Sequence, residues 1–344
     1  LSRPRPPSPP SRRRRSLPIG YAKTNMGGDL YYSPARSLSM KLVYDWERYQ
    51  RNFRESETTK EDSYTAIFNY KPLPGLVLRP SYLYARKLVR GYDAERVGHA
   101  TFPLGEGTAP GQLPELRKYD QAGRTRNKVS LHADWDLTDS LDVGADYGLL
   151  RDDFDAEYGL LNARTEYYSV DANLNPFEAW TLYADYTWEQ MTSNTRSRYR
   201  SPTSNTPNND WLGLLKDQSH TVNVGTNYAM LENKLDAGLD WSMTDSKGIQ
   251  TASNPNATTT ASANATDLPN TYTRLNKVRA NLRYRWTKSL TAKLGYEYQR
   301  YSETDWAQDT IDVYQPVWAK SVFMGVSQPS YEAHLISTGV SYSF

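Results

Sequence analysis

The residues with the clearest chemical potential are four histidines, one acidic run and three arginines at nearby positions. His99, His132, His220 and His334 share no metal-ligand spacing. His132 sits on the polar side of an alternating segment and reads as a wetted wall residue. The run Arg151, Asp152, Asp153, Phe154, Asp155, Ala156, Glu157 offers clustered carboxylates of the kind calcium takes. It lacks the EF-hand spacing, and no metal site is assigned to it. Arg279, Arg283 and Arg285 share one strand face and could favour anions in a pore. Asp134, Asp136, Asp142, Asp146, Asp171, Asp185, Asp236 and Asp240 face the same way on other segments. Both signs together make a polar wall without a selectivity filter. Cysteine is absent, which excludes disulfides, thiolate chemistry, Cys-ligated metal and haem attachment through C-x-x-C-H in this chain. No nucleophile elbow, phosphate-binding loop or catalytic triad is present. The expectation is a protein that is no enzyme and holds no cofactor of its own.

These residues need elements that hold them on one face, and period-two alternation supplies such elements. Leu38, Met40, Leu42, Tyr44 and Trp46 alternate with polar neighbours. So do the even positions from Leu76 to Tyr84 and the odd ones from Val129 to Leu137. The pattern continues in Leu141–Leu149, Tyr168–Leu174, Trp180–Trp188, Val222–Met230, Leu235–Met243, Val278–Trp286, Leu290–Tyr298 and Ile336–Phe344. Two weaker segments lie near 22–32 and 64–70. That makes about thirteen strands of about eleven residues, the length a transmembrane β-strand needs. Ordinary domains use strands of about five or six residues.

Short turns near 33–37, 71–75, 138–140, 175–179, 232–234 and 287–289 alternate with polar stretches near 87–124, 151–163, 191–216, 246–271 and 302–331. Outer-membrane barrels alternate short periplasmic turns with longer extracellular loops in this way. The chain has 27 Tyr and 9 Trp against 7 Phe, so most of its rings carry a polar handle. Trp46, Tyr84, Trp135, Trp180, Trp188, Trp241, Trp286 and Tyr342 fall at strand ends on the apolar face, as interfacial girdles require. Mean hydropathy is −0.77, and no apolar run approaches the roughly 20 residues of a membrane helix. The fold class expected is all-β, an antiparallel up-and-down transmembrane β-barrel, over residues 21–344.

Residues 1–20 carry six Arg and six Pro, and net charge is +2 over all 344 residues. This segment reads as a disordered stretch or a fragment artefact rather than a nucleic-acid arm. Asn256 and Asn264 match a glycosylation pattern inside a low-complexity Ala/Thr/Asn stretch, which makes the match accidental.

Several phrases taken in order resemble one family. They are SPARSLSMKLVYDW, YKPLPGLVLRPSYLYAR, WDLTDSLDVGADYGLLRDDFDAEYG, NPFEAWTLYADYTWE, ENKLDAGLDW, WTKSLTAKLGYEYQR and the closing STGVSYSF. Together they resemble the decaheme-associated outer-membrane barrels of the MtrB/PioB type. The family's members are longer and carry an N-terminal C-x-x-C region that is absent here. The resemblance therefore implies the C-terminal half of such a barrel, truncated at its N-terminus. It also implies an outer-membrane location in a Gram-negative bacterium and contact with lipid. The implied function is a sheath that houses and positions a multihaem c-type cytochrome for electron transfer, with the haems on that partner. A diffusion porin or transporter barrel for small solutes is the alternative, and the residues alone leave both open.

Overall fold

The computed structural model describes residues 19–94, 113–199, 205–231, 234–256, 265–306 and 330–343. The expectations placed on residues 1–18, Asn264 and Phe344 lie outside this set, and so does His99. The strands are β1 (Tyr21–Ala35), β2 (Leu38–Arg51), β3 (Ser56–Leu73), β4 (Leu76–Tyr92), β5 (Leu116–Arg117), β6 (Gly123–Thr138) and β7 (Leu141–Asp155). They continue as β8 (Tyr158–Phe177), β9 (Trp180–Arg198), β10 (Asp210–Met230), β11 (Leu235–Ser253), β12 (Leu268–Arg285), β13 (Leu290–Thr304) and β14 (Tyr331–Tyr342). Apart from the two-residue β5, each strand pairs antiparallel with its sequence neighbour in one up-and-down sheet. Among the described residues β1 and β14 pair on one side only, so the sheet is open.

Residues directly opposite one another share a face, so the registers carry each alternating row from strand to strand. Leu131 faces Tyr147, Tyr147 faces Tyr168, and Tyr168 faces Trp188. The apolar row is the exposed one: Val129, Leu131, Val170, Val224, Leu239, Leu282 and Leu294 are all exposed. Among the described residues the buried hydrophobics are only Ala85, Leu113, Ala122 and Tyr158. A soluble β-sandwich would bury the apolar row between two sheets. This sheet presents it outward, as a membrane barrel does.

The strands run longer than the alternation predicts. Segment 151–163 does not form a long polar loop: β7 and β8 pass through it and leave only Ala156 and Glu157 between them. Most of 191–216 is likewise strand in β9 and β10, and β2 meets β3 across 52–55. The cause is solvation. Beyond the bilayer both faces of a strand are wet, so hydrophobic alternation ends while backbone pairing continues. The long-loop expectation therefore gives way to a paired collar at 151–163 and over most of 191–216, while longer connections separate β4 from β6, β9 from β10, β11 from β12 and β13 from β14.

Candidate functional site on the polar face

The eleven predicted wall residues all lie on the polar row. Six aspartates gather on four neighbouring strands, β6 to β9. His132 Nδ1 lies 2.7 Å from Asp146 Oδ1, and its Nε2 lies 2.9 Å from Asp134 Oδ2. Arg79 of β4 donates to that same Asp134 oxygen at 2.9 Å. Asp136 stands opposite Asp142, and Asp171 stands opposite Asp185. Asn223 donates from Nδ2 to Asp185 Oδ2 at 2.7 Å. Like charges directly opposite repel, so these two aspartate pairs leave the sector with unneutralised negative charge.

A basic sector sits farther along the sheet. Lys277, Arg279, Arg283 and Arg285 share the polar row of β12, and Lys293 of β13 stands opposite Arg283. Strand β11 partly neutralises it. Asp236 Oδ2 accepts from Arg283 Nε at 2.8 Å and from Arg285 at 3.0 Å, and Asp240 stands opposite Arg279. Arg283 remains 51% exposed in this pair, so each contact contributes only about 0–1 kcal/mol. Toward the turn end the wall is sorted by strand, acidic on β6–β9 and basic on β12–β13 through Arg283, Arg285 and Lys293. Farther along the same rows β6 carries Arg124, Arg126 and Lys128, and Glu297 of β13 stands opposite Arg279. Alternation alone shows mixed signs, because only the register reveals which charges are neighbours.

Two glycines keep this face low. A Cβ on Gly148 would fall 2.1 Å from the Tyr167 ring, and one on Gly225 would fall 2.4 Å from the Tyr183 ring. Each ring therefore lies over its glycine rather than standing off the wall.

At the loop end, the segment Leu113–Ala122 docks against the connection between β2 and β3. Gln121 accepts from the Ser56 backbone N–H at 2.8 Å and donates to Glu55 Oε2 at 2.7 Å. Lys118 pairs with Glu55, and Arg54 pairs with Asp120 at 2.7 Å. Lys87, on the polar row of β4, donates to the carbonyls of Tyr119 and Asp120. Burial alone would raise the Glu55 carboxyl. The Lys118 and Gln121 hydrogen bonds outweigh it and hold Glu55 below the ordinary carboxylate range. Nearby, Asp210 is 1% exposed and takes Arg196, Arg198 and the Tyr158 hydroxyl. The carboxylates of the 151–157 run do not converge, because strand alternation splits them. Asp152 pairs with Arg126 on the polar row, while Asp153 pairs with Arg151 on the other face.

Seven of the eight predicted girdle aromatics are paired on the apolar row, and Trp286, one residue past β12, meets the Tyr284 ring of that row edge-on with centroids 6.0 Å apart. Trp135, Trp180, Trp286 and Tyr342 mark the turn end, and Trp46, Tyr84, Trp188 and Trp241 lie toward the loop end. Tyr147, Tyr168 and Trp188 stack in series across three strands with centroids 5.2 and 5.1 Å apart. On β9, eight residues separate Trp180 from Trp188, about 26 Å along a strand and about 20 Å when tilted.

A family model described as an outer membrane beta-barrel porin, MtrB/PioB, matches residues 8–344. The chain belongs to this family. A curated MtrB/PioB relative, "Outer membrane protein MtrB" of Shewanella baltica (strain OS185), is 27% identical over 320 residues. The match covers 90% of this MtrB/PioB chain and 41% of the relative, so the chain spans well under half the relative's length. Two crystal forms of the ferric-catecholate import receptor Fiu from E. coli K12 superpose with TM-scores of 0.52 and 0.54 at 10% identity. They cover 83% and 94% of this chain and 56% and 55% of the receptor, and they share the barrel fold. Family and fold together place the protein in the Gram-negative outer membrane. The sequence assigns no face to His220 and His334; the register puts both on the apolar row. Their Nδ1 atoms lie 2.9 Å from the Tyr186 hydroxyl and 2.8 Å from the Tyr296 hydroxyl. Extending the alternation past the last apolar residue would have found them.

Proposed function

We propose that this chain forms part of an outer-membrane sheath that encloses a multihaem c-type cytochrome and holds it for electron transfer across the membrane. The observation that carries this reading is the sorted polar face. An acidic sector and a basic sector on a low wall suit a folded protein with patches of both signs. A pore for one class of ion would keep one sign at its constriction. Family membership supports the same reading, because one relative is named MtrB. The match covers 41% of the relative, so a barrel of the relative's length has room for about twice as many strands. A ring of about fourteen tilted strands has a backbone diameter near 28 Å, whereas about twenty-six give near 52 Å, wide enough for a small folded protein. In lipid the free edges of β1 and β14 must pair, with each other or with further strands, since unpaired backbone groups cost several kcal/mol each. The haems belong to the partner, and the chain supplies insulation and position.

The test uses the full-length protein in proteoliposomes that enclose a reducible dye, with a donor outside. Dye reduction is expected only when the co-purified cytochrome is present. Leakage of small solutes, with no cytochrome retained at any purification step, would replace the sheath by the porin reading.

A further inference from the structure

The outward face of β2, β3 and β4 carries cations that the described residues leave unmatched. Continuing the apolar row past the tyrosines of the loop-end girdle leads to Arg48 on β2, Lys60 on β3 and Arg86 on β4. Arg48 and Lys60 are directly opposite one another, a like-charge pair that destabilises a bare sheet. Among the described residues the buried Nε of Arg48 has no hydrogen-bond partner. Among them one carboxylate shares this patch: Asp62, opposite Arg86, which accepts from the Tyr44 hydroxyl at 2.7 Å. Immediately toward mid-membrane on the same face lies a groove of about 620 Å³. Its apolar walls include Leu30, Leu42, Tyr44, Tyr64, Ala66 and Tyr82. Alternation fixes the vertical order: groove first, then the tyrosine rim, then the cations two to four residues further along each strand.

We propose that this patch binds a phosphorylated glycolipid of the outer leaflet, lipid A. One acyl chain lies in the groove, and a phosphate bridges Arg48, Lys60 and Arg86. Each half demands the other. A phosphate brings negative charge between two opposed cations and accepts from the orphaned Nε. The groove supplies acyl-chain contact that free phosphate lacks. The loop end faces outward by the turn-length rule, which sets the phosphates of that leaflet at the height of the cations.

The experiment measures lipid A binding to the full chain in neutral detergent, read as the shift in thermal midpoint. Bis-phosphorylated lipid A is expected to bind at least tenfold more tightly than its dephosphorylated form, and Arg48→Gln with Arg86→Gln should erase that ratio. Inorganic phosphate alone should not displace it. Lys60→Gln gives a second arm that survives any folding loss in the double variant. It removes the opposed charge, so it should raise the midpoint without lipid A and shrink the rise on adding it. Equal binding of both lipid A forms overturns the proposal. So does an undiminished response in Lys60→Gln, or equal competition by phosphatidylglycerol in the same detergent, which would assign the patch to an ordinary phospholipid.

Discussion

At the scale of single residues, the two faces predict opposite tolerance to charge. Leu239 is 51% exposed on the apolar row, between Thr226 and Ala280. Leu239→Arg should cost roughly 2–4 kcal/mol where it meets the bilayer centre. Asn223→Arg, on the polar row beside Asp185, should cost less than about 1 kcal/mol and gain a carboxylate partner. Urea titration of folding into vesicles measures both, and equal costs would contradict the assignment of faces. The eleven wall residues were legible because alternation alone decides the face. Their sorting into sectors was not, since adjacency between distant strands depends on register. Arg48, Lys60 and Arg86 were not legible for another reason: the apolar alternation ends at Trp46 on β2 and Tyr64 on β3 and is interrupted at Arg86 before Leu88 on β4.

Individual elements add the collar and the docked segment. The thirteen long strands were readable wherever lipid wets one face and water the other. Where both faces are wet, as along Asp152–Asn162, composition looks like loop although the ladder continues. Leu113–Ala122 was hidden in a polar stretch because its anchors, Glu55 and Gln121, are ordinary surface types that become buried only by meeting each other. Glu55→Gln removes the charge that Lys118 faces and should loosen this segment without melting the sheet. Trypsin should then cut after Arg117 or Lys118 faster than in the parent, and equal rates would reject the docking role. The pH dependence has a defined sign. Folding lowers the Glu55 value, so its stabilisation is full above the ordinary glutamate range and is lost as pH falls through the lowered folded value. Protection factors of the amides at 113–122, which divide out the intrinsic pH dependence of exchange, should fall on acidification below about pH 4.5 and stay flat from there to neutrality.

For the molecule as a whole, orientation comes first, because every outward or inward assignment depends on it. The connections after β1, β3, β6, β8, β10 and β12 are expected in the periplasm and the others outside. A cysteine at Asn264, between β11 and β12, should react with an impermeant label in intact cells, and one at Asp139 or Lys288 should not. The reverse pattern would invert the barrel and move the lipid patch to the inner leaflet. With orientation set, the sorted wall makes a prediction about the partner. Its ion pairs are largely exposed and individually weak, so single substitutions such as Arg283→Gln should leave the cytochrome bound. Reversing the basic sector as a unit is different. Arg279→Glu, Arg283→Glu and Arg285→Glu together turn three attractions into three repulsions facing the same partner surface. Retention of the cytochrome on the purified full-length barrel should then fail at lower salt than in the parent. Reversing three of the aspartates on β6–β9 should do the same from the opposite side. Elution in rising salt, followed by haem absorbance, reads the effect directly. A cytochrome that elutes at one salt concentration from the parent and both reversed barrels would show that the sectors do not hold it, whatever else the sheath does.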